Sequence, residues 1–304
     1  MSIAYLISAH ADAPQLKRLV DALHPDAQFF VHVDKKSNMD EFTAILQQEN
    51  VHFVESRIDV IWGTIRQVED QMVLIKAVLD YSMKFDRIFF LSGLDYPLWN
   101  NERITAWLEE HPKQEFMAGY CMDTDVLPSD QQQLYQVARP FIDLRCLSHR
   151  WNERLRILCR RLKKWSGARK PLSFMVDGER WHLYKGADWW CVSQDLLTYI
   201  YSVYTNKPEV RHYFIDSFAP SETLPQTIAF NSPKWVSKCL LHEGNYPGLT
   251  KLTPLHCIVY DPVIKVMDET DYDMLMKSGK MFARKFRSGK SDKLVEMLRV
   301  KGME

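Results

Sequence analysis

The feature that most constrains this chain is a regular alternation in its first hundred residues. Short, unbroken apolar runs, "IAYLIS" (3–8), "AQFFVHVD" (27–34), "VHFVE" (51–55) and "RIFFL" (87–91), are separated by segments with helical spacing. "APQLKRLVDALH" puts Leu16, Leu19, Val20 and Leu23 on one face, and residues 63–82 do the same with Ile65, Val68, Met72, Ile75 and Leu79. A strand that is apolar on both sides has to be covered on both faces, and parallel strands need long crossovers to join them. The pattern therefore predicts an α/β fold: a Rossmann-like, mostly parallel mixed sheet flanked by helices. The 304 residues show no repeat, low-complexity tract or long linker, and we read them as a single domain.

Charge and cysteine usage narrow the function classes. Lys+Arg and Asp+Glu are both 39, so the whole molecule does not advertise a polyanionic partner, and no nucleic-acid-binding motif is present. The six cysteines are scattered, with no CxxC pair and no zinc spacing, which fits a reducing compartment. The N-terminus reads as a first strand rather than a signal peptide, and no stretch reaches the roughly 18 apolar residues of a membrane span. These features are expected of a cytoplasmic protein. Charge is nevertheless uneven: Arg145 to Lys170 carries ten basic residues and one acid, Glu153. Leu144, Leu147, Trp151, Leu155, Leu158, Leu162 and Trp165 recur through it at threes and fours, predicting a basic amphipathic helix over about 144–166. Either its apolar stripe packs on the core with a solvated basic face, or the helix rests peripherally on an anionic membrane, at the inner face of the cell membrane for a cytoplasmic protein.

In sheets of this kind ligands sit at the carboxyl ends of the strands. Those ends are Ser8-Ala9-His10, His32-Val33-Asp34 and, after "RIFFL", Ser92-Gly93-Leu94-Asp95. The last turn carries one acid. A single carboxylate is a poor site for Mg²⁺ or Mn²⁺, so Asp95 is expected to shape the turn by accepting backbone N–H bonds. A literal Asp-x-Asp does occur at Asp123-Thr124-Asp125, about thirty residues later in a polar stretch. Walker, GxGxxG, HExxH and GxSxG signatures are all missing, which leaves several enzyme classes without support.

Six motifs in order, "VHVDKKS" (31–37), "WG" (62–63), "FLSGLDYPL" (90–98), "YKGADWWCVSQD" (184–195), "APSETLPQTIAFNSP" (219–233) and "MFARKF" (281–286), resemble the core-2/I-branching β-1,6-N-acetylglucosaminyltransferases, a family that includes the peptide O-xylosyltransferases. The resemblance spans nearly the whole chain and is weakest at about 116–180. It implies a glycosyltransferase-A type fold and an inverting transferase that takes a UDP-sugar as donor, with no metal or other cofactor. Residues 1–115 would then be the nucleotide-binding half and 116–304 the acceptor and catalytic half. The transferred sugar would be GlcNAc, xylose or a related hexose. The animal members' membrane anchor and ordered cysteines are not expected here, so a bacterial surface polysaccharide or lipopolysaccharide, lipid-linked or free during assembly, replaces mucin or proteoglycan as the expected glycan acceptor.

The same resemblance assigns roles to residues. Glu222, which on its own could be an acid at a helix N-terminus, aligns with the general base. Lys285 aligns with a lysine on the diphosphate, with Arg284 beside it and Lys265 as a second basic residue. Asp34 should meet the uridine, with His10, Arg57 and Trp62 near it, and Asp95 belongs to the sugar pocket. Trp189 or Trp190 and Tyr260 are candidates for the acceptor side, since aromatic faces suit sugar C–H surfaces. Two alternatives stay open: a metal-dependent transferase using Asp123 and Asp125, and a catalytically silent member that only binds nucleotide or glycan.

Overall fold

The computed structural model describes residues 1–123, 149–166, 170–260 and 263–301. Its centre is a five-stranded sheet. β1 (Ile3–Ala9) lies between β2 (Gln28–Val33) and β4 (Arg87–Ser92), β3 (Val51–Phe53) follows β2, and all four are parallel. A short antiparallel strand, β10 (Cys191–Val192), closes the other edge beside β4. The sheet is thus mostly parallel and mixed, as the alternation requires.

Because successive residues of a strand point to opposite faces, β1 serves two cores. Tyr5 and Ile7 join the cluster under α1 (Ala13–Ala22), where Tyr5 is stacked between Phe29 and Phe89. Ala4 and Leu6 join the cluster on the other face, with Val68, Met72 and Ile75 of α3 (Arg66–Leu79). That second cluster also takes in Leu196, Leu197 and Ile200 of the helix Gln194–Asn206. Burial on both faces is why the strands are unbroken apolar runs rather than alternating ones.

Two small sheets carry the rest of the site. In one, β5 (Asp95–Pro97) pairs antiparallel with β13 (Phe282–Arg284), which pairs parallel with β12 (His256–Ile258). In the other, β6 (Ala118–Cys121) pairs antiparallel with β9 (Tyr184–Gly186) and parallel with β11 (Leu240–His242). Gly186 is required there: a Cβ would lie 2.1 Å from the Ala118 carbonyl oxygen. The basic helix spans His149–Trp165, and positions 144–148 of the expected range lie outside the described residues. Among the described residues no helix is long and apolar enough to cross a membrane.

Candidate active site

The carboxyl ends of β1, β2 and β4 open into a cleft of about 370 Å³. Ser8, His10, Asp34, Trp62, Trp189 and Arg284 are among its walls. Asp34 terminates β2. Its amide donates to the Ala9 carbonyl at 2.8 Å, and its carboxylate accepts from the Lys36 amide (2.9 Å) and ammonium (3.0 Å). Below the cleft, buried Asp70 of α3 ties two strands together. It accepts from the Ser8 hydroxyl at 2.5 Å and faces His32 Nδ1 at 2.7 Å. His32 Nε2 accepts from the Ile58 amide at 2.8 Å, which fixes the ring with Nδ1 toward Asp70.

Arg57 is spent differently from the expectation. Its guanidinium donates to the carbonyls of Val33, Asp34 and Ser37 at 2.9, 2.7 and 2.5 Å. It holds the turn that presents Asp34 and is not among the residues lining the cleft. Trp62 stands 71% exposed at the rim, edge-on to Phe218 at 5.3 Å. The following Gly63 has φ +78°, its carbonyl accepts from the Ala219 amide, and a Cβ there would meet the Phe218 ring at 2.9 Å. The "WG" dipeptide is therefore the surface on which the loop before Glu222 rests.

Asp95 is fully buried and is not among the residues that line the cleft. Instead it accepts from the Ser92 amide at 2.7 Å, closing the turn, and from Arg284 at 3.2 Å, with His256 Nε2 3.4 Å away. The β5–β13 register places Asp95 directly opposite Arg284. Burial works against its charge. The contact with His256, the field of Arg284 and the Ser92 amide outweigh that and hold the carboxyl below its ordinary range. Burial also lowers the pKa of His256, which therefore acts as a neutral partner, leaving Arg284 as the compensating cation. Arg284 in turn lies over the Trp189 ring, 5.3 Å from its centroid.

The cations cluster at one end. Asp12, in a left-handed conformation (φ 60°), accepts from the Ser288 amide at 2.9 Å and hydroxyl at 2.5 Å, which pins the 284–288 segment over the end of β1. His10 is there held below its usual pKa, first by burial and then by Arg284, Lys285 and Arg287, with Asp34 opposing. Lys285 is lowered by burial and by Arg287 and Arg284. Among the described residues it has no carboxylate within ion-pair distance. Of this group Arg284 has Asp95 as its carboxylate partner, and a cluster with more cations than carboxylates suits an anion. Lys265 does not join them as a free charge: its ammonium is bound to Asp271 at 2.5 Å, and only its backbone meets Lys285.

The opposite end is acidic. Glu222 closes a 3₁₀ turn, Pro220–Glu222, and its Oε2 accepts from the ammonium of Lys185, a residue only 5% exposed on β9. Nearby Asp188, on the cleft wall, accepts from Gln71 at 3.1 Å. Burial first and then the negative field of Glu222 push Asp188 up to about 7, while Ser221, Lys185 and Arg284 oppose. Sequence reading missed both Lys185 and Asp188. They lie inside "YKGADWW", where only the aromatic pair drew attention.

That pair splits. Trp189 lines the cleft, whereas Trp190 is 1% exposed and stacked on Phe90 at 5.4 Å. Trp190 is therefore a core residue and is withdrawn from the acceptor side. Tyr260 is 64% exposed, bridged to Ile264, and is not among the cleft residues. Of the Asp-x-Asp triplet, only Asp123 is described. It bonds His182 at 2.7 Å, and Thr124 and Asp125 lie outside the described residues.

The protein is thus an α/β fold whose mostly parallel strands end at a cleft, with Asp188 and Arg284 on its wall, Glu222 near Asp188 and Lys285 next to Arg284. The sequence profile of the Core-2/I-Branching enzyme family matches residues 3–246, and the chain belongs to that family. It is 29% identical over 245 residues to mouse xylosyltransferase 2, covering 77% of this chain and 25% of that protein. Against human xylosyltransferase 1 it is 24% identical over 238 residues, covering 76% and 22%. The chain thus spans about a quarter of the length of these relatives. Among solved structures, a glucosyl-3-phosphoglycerate synthase from Mycobacterium tuberculosis aligns with a TM-score of 0.35 at 11% identity, over 81% of this chain and 73% of that one. That likeness is too slight to argue from.

Proposed function

We propose that this glycosyltransferase moves a sugar from a UDP-sugar to a hydroxyl of a glycan acceptor, with inversion and without a metal. The reading is carried by the charge at and beside the cleft: Asp188 on its wall with Glu222 nearby, and Arg284 on its wall with Lys285 next in sequence and Trp189 under its guanidinium. In this reading the uridine meets Asp34, which follows β2 and lines the cleft together with Trp62.

The step balances with one base. Lys185 occupies Glu222 Oε2, and among the described residues Oε1 has no recorded partner, so it is open to an acceptor hydroxyl. Glu222 takes the hydroxyl proton on Oε1 as the acceptor oxygen attacks C1 of the donor sugar. The C1–oxygen bond to the β-phosphate breaks, and UDP leaves with the electron pair. Attack and departure on opposite faces invert the anomeric centre, and no glycosyl-enzyme forms. The charge growing on UDP meets Arg284, held in place by Asp95 and Trp189, and Lys285. Fixed cations of this kind act most strongly where charge develops in the transition state. The acceptor we infer is a bacterial surface glycan, carried on a lipid while it is assembled.

Glu222→Gln tests the reading. UDP-sugar binding should persist while transfer falls by about 10²-fold or more, because only the proton acceptor is lost. Turnover near that of the wild type would remove Glu222 from the mechanism.

A further inference from the structure

We infer that the helix His149–Trp165 is a docking surface for an anionic lipid bilayer. Surface helices ordinarily bury their apolar stripe against the core. Here the stripe is turned outward: Trp151 is 56% exposed, Leu158 50%, Leu162 54% and Trp165 89%. At 3.6 residues per turn these four fall within an arc of roughly 60°. Asn152, which is buried, and Cys159, which is partly so, lie about a quarter-turn round, so the helix is attached to the protein by a different side. On the stripe's other flank come Arg154, whose guanidinium sits 5.3 Å from the Trp151 ring centroid, and Arg161, which is exposed.

An exposed stripe of two tryptophans and two leucines marks an interaction surface rather than a solvated face. Its charge selects the partner. The 17 residues of the helix carry seven Lys or Arg and one Glu, in a chain whose total charge is zero. Apolar side chains flanked by arginines, with an indole at each end, fit the boundary between lipid headgroups and acyl chains, where tryptophan concentrates and basic residues meet anionic lipid.

The test uses the whole chain and vesicles of phosphatidylcholine with or without roughly 30 mol % phosphatidylglycerol. Co-sedimentation at low salt should be at least about tenfold stronger with the anionic vesicles and should weaken as salt is raised. Arg154→Glu with Arg161→Glu should abolish that preference. Leu158→Ser with Leu162→Ser and Trp165→Ser, which leaves every charge in place, should lower binding about tenfold as well. Both variants must bind UDP as the wild type does, which shows that the fold and cleft are intact. Equal binding to the two vesicle types overturns the inference. So does anionic binding that is indifferent to the stripe variant, or a self-associated wild type that the stripe variant turns into a monomer.

Discussion

Asp188→Asn should stabilise the protein, and by an amount that grows with pH. In an unfolded chain the carboxyl has its ordinary value of 3.8, whereas in the folded cleft burial and Glu222 push it up to about 7. Below about pH 3.8 it is protonated in both states, and its contribution to stability is complete. Between 3.8 and about 7 the unfolded chain sheds a proton that the folded chain keeps, so stability falls as pH rises. Above about 7 both states are ionised and the loss is full. Each pH unit in that window is worth about 1.4 kcal/mol, which sets a ceiling of about 4 kcal/mol. Glu222 can relax and the carboxyl reaches the cleft, so about 1–3 kcal/mol is the expected gain for the amide at pH 8. That corresponds to a rise of several degrees in Tm for a chain of this size. Thermal unfolding of both proteins from pH 4 to 8.5 gives the answer, and the gap should nearly close at the acid end. In a Glu222→Gln background the gap at pH 8 should shrink, because part of the perturbing field is gone. A difference in Tm that is flat across the range would refute the account of Asp188 as a strained, proton-holding group.

Three further outcomes follow from the same geometry. Lys285→Ala should weaken UDP by about ten- to a hundredfold in calorimetry while leaving uridine almost unchanged, since the loss is at the phosphates. Equal weakening of both would point to the fold instead. Transfer should survive EDTA, because the oxygens of Asp95 are already met by Ser92, Arg284 and His256 in a fully buried site. Loss of activity that Mn²⁺ restores would move attention to Asp123 and Asp125. Gly186→Ala should cost about 3 kcal/mol or more in unfolding experiments, since the new Cβ lands 2.1 Å from a backbone oxygen that cannot yield. A variant as stable as the wild type would mean that the β6–β9 pairing is looser than described.

What could be read from the sequence divides along physical lines. The central strands and their helices were legible because burial on both faces leaves unbroken apolar runs, and a half-buried helix leaves a periodic one. His10 and Asp34 could be placed because position at a strand end already decides their surroundings. Contacts across long sequence separation left no local trace. Nothing in "FLSGLDYPL" says that Asp95 will be covered and faced by Arg284, 189 residues away, because that follows from the pairing of β5 with β13. Arg57 and Lys265 were singled out as charges, but a charge in a sequence does not reveal whether backbone carbonyls or an Asp271 will claim it. Lys185 and Asp188 were overlooked for the converse reason. Their chemistry comes from burial beside Glu222, and burial of a polar residue is invisible until the loops that bury it are in place.

The proposed reaction would draw on two differently balanced groups of charges. At one, Lys285 and Arg287 crowd Arg284 and His10, and Asp95 is the carboxylate that partners Arg284. At the other the like charges are carboxyls: Lys185 is tied to Glu222, and burial with the field of Glu222 pushes Asp188 up to about 7. Arg284 joins the two groups, since it is fixed by Asp95, lies over Trp189 and opposes the protonation of Asp188. In the proposed reaction an anion drawing on that guanidinium would weaken its opposition, and the Asp188 pKa would move further up.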